Sequence, residues 1–213
     1  QRSPGAFFDQ KFHPNGAKLF NARIIPIRGS WIDFTTDIND ILFTIIDRKR
    51  KFPATLLLRS LGFSSDEDIY NAFDLILEMD PSKIKTDNLT DYITVEDTVD
   101  METGELVVEG GKELNETIVS ALKNNKTKTI KLVDVRNNID SMMLNNTIKK
   151  DPTKSTEEAL LKVYYLLRGS DAPSPESAQK FIDRMFFSPK KYDLGEVGRY
   201  RLDKQFNVDN KGK

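Results

Sequence analysis

The sequence predicts an α+β domain: a mixed antiparallel sheet with several helices, carrying a small strand–hairpin–helix–strand insertion. Three observations support that expectation. Residues 18–47 fall into short runs rich in β-branched and aromatic residues, separated by turn-forming clusters. Two Ser-x-x-Glu signals, Ser64 to Glu67 and Ser155 to Glu158, open stretches with helical spacing. A second set of strand-like runs lies between those two signals, in the middle third.

The elements follow in order. His13-Pro14-Asn15-Gly16 is turn-like. Ala22 to Ile27 reads as a strand, with Pro26 marking an edge or a bulge. Arg28-Gly29-Ser30 is a turn, and Trp31 to Thr35 resumes an extended pattern. Ile41 to Ile46 is a further strand, reached through the hairpin connection Thr36 to Asp40. Pro53 occupies the first turn of a helix that runs from Ala54 to Leu61 and stops at Gly62. From Ser64 a second helix is expected to about Met79, with Ile69, Phe73, Ile76 and Leu77 on one face. Tyr92 to Val99 alternates as a strand, Asp100 to Glu105 turns, and Leu106 to Val108 returns. Glu113 to Asn124 reads as a helix and Thr129 to Val133 as a closing strand. In the last third, Leu160, Val163, Tyr164 and Leu167 form a helical stripe closed by Gly169. Ala178, Phe181, Ile182 and Met185 form another within Glu176 to Phe187, and Tyr192 to Leu202 follows. The expected organisation is a main domain in two parts, 1–82 and 151–213, interrupted by a small subdomain at 83–150.

Composition narrows the chemistry. The chain has no cysteine and one histidine, His13. Disulfides, thiol catalysis, histidine triads and Cys/His metal sites are therefore excluded or nearly so. No phosphate-cradling glycine loop is present. Asp66-Glu67-Asp68 lies at a helix N-terminus, where acids favour the dipole, and reads as structural rather than metal-binding. No run reaches the roughly 18 apolar residues of a membrane span, and no membrane association is expected. Gln1 to Gly5 is polar rather than signal-like, and the missing initiator Met reads as an excised piece of a longer cytoplasmic protein. The net charge of −1 conceals a segregation: residues 1–60 are +5, 61–120 are −13 and 121–213 are +7. Two basic ends around an acidic middle can fold into one basic face.

Two features suggest nucleic acid. Asp47-Arg48-Lys49-Arg50-Lys51 places four cations in succession, as a phosphate-contacting run does. A run of this length also serves as plain solvated surface. Trp31, the only tryptophan, follows Arg28-Gly29-Ser30. An exposed aromatic beside cations can stack on an unpaired base, and a lone tryptophan in a strand also serves as core. The residues alone lead to an α+β protein with a candidate nucleic-acid face.

Several separated motifs carry a resemblance. Arg2-Ser3-Pro4-Gly5-Ala6-Phe7-Phe8 is similar to an RSPGVFF signature. Asn21 to Trp31 (NARIIPIRGSW) is similar to ARIIPxRGSW. Ile46 to Thr55 (IDRKRKFPAT) is similar to IDRRRKLPAT. Leu166-Leu167-Arg168 falls before a proline-rich turn, and Phe186-Phe187-Ser188 with Tyr192 to Arg199 is similar to FFS…RYDLxxVGR. In this order they resemble the second domain, or lobe, of the bacterial RNA polymerase β subunit. The resemblance implies a non-catalytic domain forming one wall of the DNA cleft, facing downstream DNA and the non-template strand.

It also implies roles for single residues. Trp31 matches a tryptophan that stacks on a non-template base, and Arg2 an arginine of a pocket for an unpaired guanine. Arg28, Asp47, Arg48 and Arg168 fall in motifs facing the same region, and Lys49, Arg50 and Lys51 would follow phosphates. No cofactor is implied in this stretch, since the parent enzyme's Mg2+ sits on the β′ subunit. The implied partners are the rest of β, β′, α and ω, sigma factor and DNA, in a cytoplasmic, nucleoid-associated enzyme. The acidic middle offers an alternative role as a docking platform for sigma, a repair translocase or phage regulators. Three departures stand out: residues 81–150 match weakly, Gly169-Ser170 replaces Pro-Gly, and Lys49 stands where Arg is common.

Overall fold

A computed structural model describes residues 3–84, 88–100, 103–125 and 127–208. The chain divides into two compact units, one made of Gln1–Ser64 with Lys149–Lys213, the other of Ser65–Ile148. The fold is α+β, with antiparallel sheets and helices in both units.

The first unit opens with a five-stranded antiparallel meander in chain order. Its strands are β1 (Gly5–Phe12), β2 (Lys18–Ile25), β3 (Ile32–Thr36), β4 (Leu42–Ile46) and the short β5 (Phe52–Pro53). β1 is a strand the sequence reading did not place. It pairs with β2 along its whole length, from Gly5 opposite Ile25 to Phe12 opposite Lys18. The turn between them is the His13–Ala17 loop, where His13 N–H donates to Ala17 O at 2.9 Å. Helix α1 (Ala54–Ser60) follows at once, started by Pro53.

Strand alternation decides what the sheet buries. Phe34 and Ile46 point to the same side and pack with Leu56 and Leu57 of α1. That core is completed by helices in the last third, described below.

The second unit begins with α2 (Asp66–Ala72) and β6 (Leu77–Met79). The sequence had joined these as one helix from Ser64 to about Met79. The helix stops at Ala72 because Leu75 N–H turns back to Tyr70 O at 3.1 Å and Asp74 takes a left-handed φ of 53°. The following residues are then free to pair as a strand. The capping box also sits one residue later than expected. Ser65 Oγ accepts from Asp68 N–H at 3.0 Å, and Asp68 Oδ2 accepts from Ser65 N–H at 2.8 Å.

Strands β7 (Tyr92–Thr94), β8 (Thr98–Val99) and β9 (Leu106–Val108) come next. The expected single strand Tyr92 to Val99 is therefore two short ones. β7 joins a sheet of order β6-β10-β7, while among the described residues β8 pairs only with β9. Met101 and Glu102 of the turn between β8 and β9 lie outside the described residues. Helix α3 (Glu116–Asn124) is capped by Asn115, whose side chain accepts from Ile118 N–H at 2.8 Å. β10 (Ile130–Asp134) closes the sheet. Val108, Leu114, Val119, Leu122, Ile130 and Leu132 form this unit's core. Because β6 is an edge strand of that sheet, the unit starts at Ser65 rather than at residue 83.

Helix α4 (Ile139–Lys150) was not foreseen. Its buried face includes Ser141, Asn145 and Thr147, so no apolar stripe announces it. Lys131 of β10 bridges Glu67 at 2.6 Å and Glu96 at 3.0 Å. The hydrogen bond from Lys131 holds the Glu67 carboxyl below its ordinary range, and the two carboxylates raise the Lys131 ammonium.

The chain returns to the first unit with α5 (Thr156–Arg168), α6 (Pro175–Ile182) and α7 (Gly195–Phe206). Ser155 caps α5 by accepting from Glu158 N–H at 3.3 Å, and Gly169 ends it with a φ of 78°. A π-helical turn, Asp183–Phe187, extends α6. Ala159, Leu160, Val163 and Leu167 of α5 and Ala178 and Ile182 of α6 complete the core beneath the sheet.

One charged pair lies inside that core. Arg59 of α1 is 0% exposed and Asp151 is 4% exposed. Arg59 Nε stands 3.4 Å from Asp151 Oδ2. Thr55 Oγ1 donates to the same oxygen at 2.8 Å, and Thr153 donates to Oδ1 through N–H at 2.9 Å and Oγ1 at 2.7 Å. Arg59 also donates to Ser64 O, and Ser64 Oγ accepts from Thr156 N–H at 3.2 Å. Breaking a buried pair on one side leaves the other charge uncompensated, at about 3–5 kcal/mol. Asp151→Ala is therefore expected to lower unfolding stability by about that amount, measured by urea denaturation. The double variant Arg59→Leu/Asp151→Leu should cost less than either single change.

Candidate nucleic-acid interface

The candidate interface belongs to the first unit and starts from a tight turn. Between β4 and β5, Lys49 N–H donates to Ile46 O at 3.0 Å. The two residues inside that turn, Asp47 and Arg48, have φ of 49° and 59°. Consecutive left-handed residues mark the hairpin turn that matches strand twist, and aspartate tolerates the first position well. The turn aims the five-residue charged run outward: residues 47–51 are all exposed.

The side chains of that run do different things. Asp47 clamps Trp31: its Oδ1 accepts from Trp31 N–H at 2.9 Å, and its own N–H donates to Trp31 O at 3.0 Å. Arg48 places its guanidinium 5.8 Å from the Trp31 ring centre, and Arg23 of β2 lies 5.9 Å from it. Both are within cation–π range. Arg23 is itself paired with Asp33 of β3. Lys49, though exposed, reaches across to donate to Leu167 O in the last turn of α5, where the helix dipole favours a cation. Lys51 lies 4.5 Å over the Phe43 ring.

Trp31 is half-buried. It borders a hollow of about 310 Å3 lined by Gly29, Trp31, Asp47 and Arg48. The loop before it is held by backbone bonds. Ile27 and Arg28 N–H both donate to Asp193 O, at 2.9 and 3.1 Å, and Asp193 N–H donates to Arg28 O at 2.8 Å. Arg28's side chain is exposed. Gly29 is required there. Its φ is 116°, and a Cβ would come within 2.8 Å of Tyr192 Cδ2 and 2.9 Å of Lys191 O. Tyr192 cannot yield easily, since its ring packs edge-on against Phe186 at 6.0 Å. Burial raises its hydroxyl pKa.

A second hollow, of about 550 Å3, shares Gly29 with the first. It is lined by Ser30, Tyr164 and Phe181 and by four cations: Arg168, Lys180, Arg184 and Lys191. The Arg168 guanidinium lies 5.1 Å from the Phe181 ring centre, and that ring stacks edge-on with Tyr164 at 5.1 Å.

The structure thus brings Trp31, Asp47 and Arg48 to one hollow and Arg168 to the adjoining one. Lys49 and Lys51 are engaged with the protein, Arg50 is exposed, and Arg2 lies outside the described residues. Sequence reading did not single out Arg23, Lys180, Arg184 or Lys191. The spacing of Lys180 and Arg184 was a visible signal, since residues four apart share a helix face. Which way that face points depends on the packing of α6 against α5. Among the described residues no cluster of three or more His, Cys, Asp or Glu is placed to hold a metal ion, and no helix is long and apolar enough to cross a membrane.

Residues 2–118 and 127–213 match the family described as RNA polymerase Rpb2, domain 2. This chain belongs to that family. DNA-directed RNA polymerase subunit beta of Flavobacterium psychrophilum is 43% identical over 228 residues, covering 98% of this chain. The same subunit of Porphyromonas gingivalis is 44% identical over 226 residues, again 98% of the chain. That of Chlorobium chlorochromatii is 44% identical over 208 residues, 96% of the chain. The chain spans 18% of the length of the first two of these relatives and 16% of the third. It is a domain of the RNA polymerase β subunit. The break in the family match, between residues 118 and 127, lies in the second unit and begins within α3.

Gly29 offers a direct check on how this Rpb2 domain 2 face is held. Gly29→Ala is expected to push the 27–31 loop off Tyr192, lowering stability by about 1–3 kcal/mol as overpacked sites do. Trp31 emission should shift to the red in the same variant, read by fluorescence of this sole tryptophan. An unchanged spectrum would mean that the loop does not depend on that contact.

Proposed function

We propose that this domain forms one wall of the DNA cleft of a bacterial RNA polymerase and contacts downstream DNA and the non-template strand. The observation that carries the reading is Trp31 at the edge of an open hollow, clamped by Asp47 and flanked by Arg48 and Arg23. An aromatic face framed by guanidinium groups suits an unpaired base. Arg48 can leave the ring for a phosphate as a base arrives, because an exposed cation–π contact holds it by only about 0.5–1 kcal/mol.

In this reading Asp47 acts through Trp31, Arg50 and Arg28 face solvent near the strand, and Lys49 and Lys51 hold the surface together. Nucleotidyl transfer and its Mg2+ belong to the β′ subunit, and this domain supplies no chemical step. Its partners are the remainder of β, β′, α, ω, sigma and DNA, and its place is the cytoplasm, at the nucleoid. In assembled polymerase, Trp31→Ala should remove a stacking contact of about 1–3 kcal/mol. Promoter open complexes should then dissociate roughly 5- to 160-fold faster after a heparin challenge. Unchanged lifetimes would remove Trp31 from the strand.

A second role is favoured by one observation. The unit Ser65–Ile148 carries 8 Lys/Arg and 18 Asp/Glu, net −10, while the remainder of the chain is net +9. A surface of that sign repels nucleic acid and attracts basic protein segments. We infer that this unit receives a transcription factor such as sigma, a repair translocase or a phage regulator. Reversing Glu105, Glu109 and Glu116 to lysine should weaken factor binding to assembled polymerase more than tenfold in surface plasmon resonance. Equal binding would reject the acidic unit as the platform.

A further inference from the structure

We propose that the groove walled by Arg168, Lys180, Arg184 and Lys191 is a phosphate track for the single strand whose base reaches Trp31, an inference that rests on the reading of Trp31 above. The sign of the groove is the first argument. Its lining includes four cations and, among the described residues, no carboxylate. The larger hollow on the open side of the sheet, about 680 Å3, is different. There Asp9 and Asp33 stand with Lys11, Arg23 and Arg201, and Arg23 is paired with Asp33, so most of the charge is offset within the protein.

The use of the aromatic rings is the second argument. The Phe181 ring is covered by the Arg168 guanidinium and edged by Tyr164. These rings have partners already, and they serve to brace Arg168 rather than to receive a base. The groove therefore fits the backbone of a nucleic acid and not its bases. Arginine offers a planar fork matched to phosphate oxygens, and lysine a compact charge on a flexible stem. Lys180 and Arg184 sit four residues apart where α6 passes into the π-helical turn, and both line the groove.

Continuity is the third argument. Gly29 lines both this groove and the Trp31 hollow. A strand with one base on Trp31 can therefore lay adjoining phosphates in the groove without crossing a ridge of side chains at that residue. Base contact and charge contact would then fall on neighbouring nucleotides of one strand.

The test uses assembled polymerase and a forked DNA with a single-stranded non-template segment, its affinity measured across a salt series. Each phosphate contact to a single strand contributes about 0.7 to the slope of log affinity against log salt. The Lys180→Gln/Arg184→Gln variant should reduce the slope by about 1.4, and Lys180→Ala/Arg184→Ala by the same amount. An abasic site in the single-stranded segment should still weaken both of these variants, and should have no effect on Trp31→Ala. An unchanged slope in both double variants, with the abasic effect intact, would overturn the track and leave Trp31 on the strand. An equal slope loss on blunt duplex lacking the single-stranded segment would overturn the single-strand assignment. Loss of the abasic effect in the unmodified polymerase would remove the Trp31 reading on which the proposal stands.

Discussion

The buried pair of Arg59 and Asp151 is the constraint on which the first unit depends. Its strands come early in the chain and two of the helices that cover its core come late. The pair and its hydrogen bonds join the two stretches where the chain leaves at Ser64 and returns at Asp151. A charge at zero exposure is tolerated only with its partner and its hydrogen bonds in place. Here Thr55, Thr153 and the Ser64 carbonyl supply them. With that junction set, α5 lies against α1, and Leu56 and Leu57 share one core with Leu160 and Val163. The end of α5 then comes within reach of Lys49, which fixes the turn bearing Arg48. The position of Trp31 is a distant result of the same junction.

A charged run is often treated as a uniform patch. Residues 47–51 show why that picture fails. The left-handed turn splays neighbouring side chains in different directions, and each finds its own lowest-energy partner. Asp47 satisfies a backbone amide, Lys49 a helix end and Lys51 a ring. Only part of the charge is left for a ligand. The denser cation cluster comes instead from α5, α6 and the segment before α7, where no run of basic residues marks it in the sequence.

The α+β class, the strands within residues 18–47 and the helices after Pro53 and Ser155 were legible because their signals are local. β-branched runs, a proline and a serine cap act over a few residues. What escaped depends on distant partners. β1 is a strand because β2 lies beside it, while its own sequence exposes Phe7, Phe8 and Phe12. The run from Phe73 to Met79 carries a helical stripe, but β10 offers Leu77–Met79 a ladder, and pairing prevails over periodicity. α4 hides Ser141, Asn145 and Thr147, so its buried face reads as polar. In the same way Trp31 and Arg168 were visible as residue types within motifs, whereas Lys180 and Lys191 join them only through the packing of α6 and the Gly29–Tyr192 contact.

The junction at Ser64 and Asp151 has a consequence for how such a domain can diverge. The two ends of the intervening stretch are pinned next to each other by groups that belong wholly to the first unit. Loop-closure entropy grows only with the logarithm of length, so each doubling of that stretch adds about 0.6 kcal/mol. The acidic unit is in effect a cassette. A lineage can lengthen, shorten or replace it with little penalty to the sheet, the α5 helix or the tryptophan turn, and drift can accumulate there while the scaffold around it stays still.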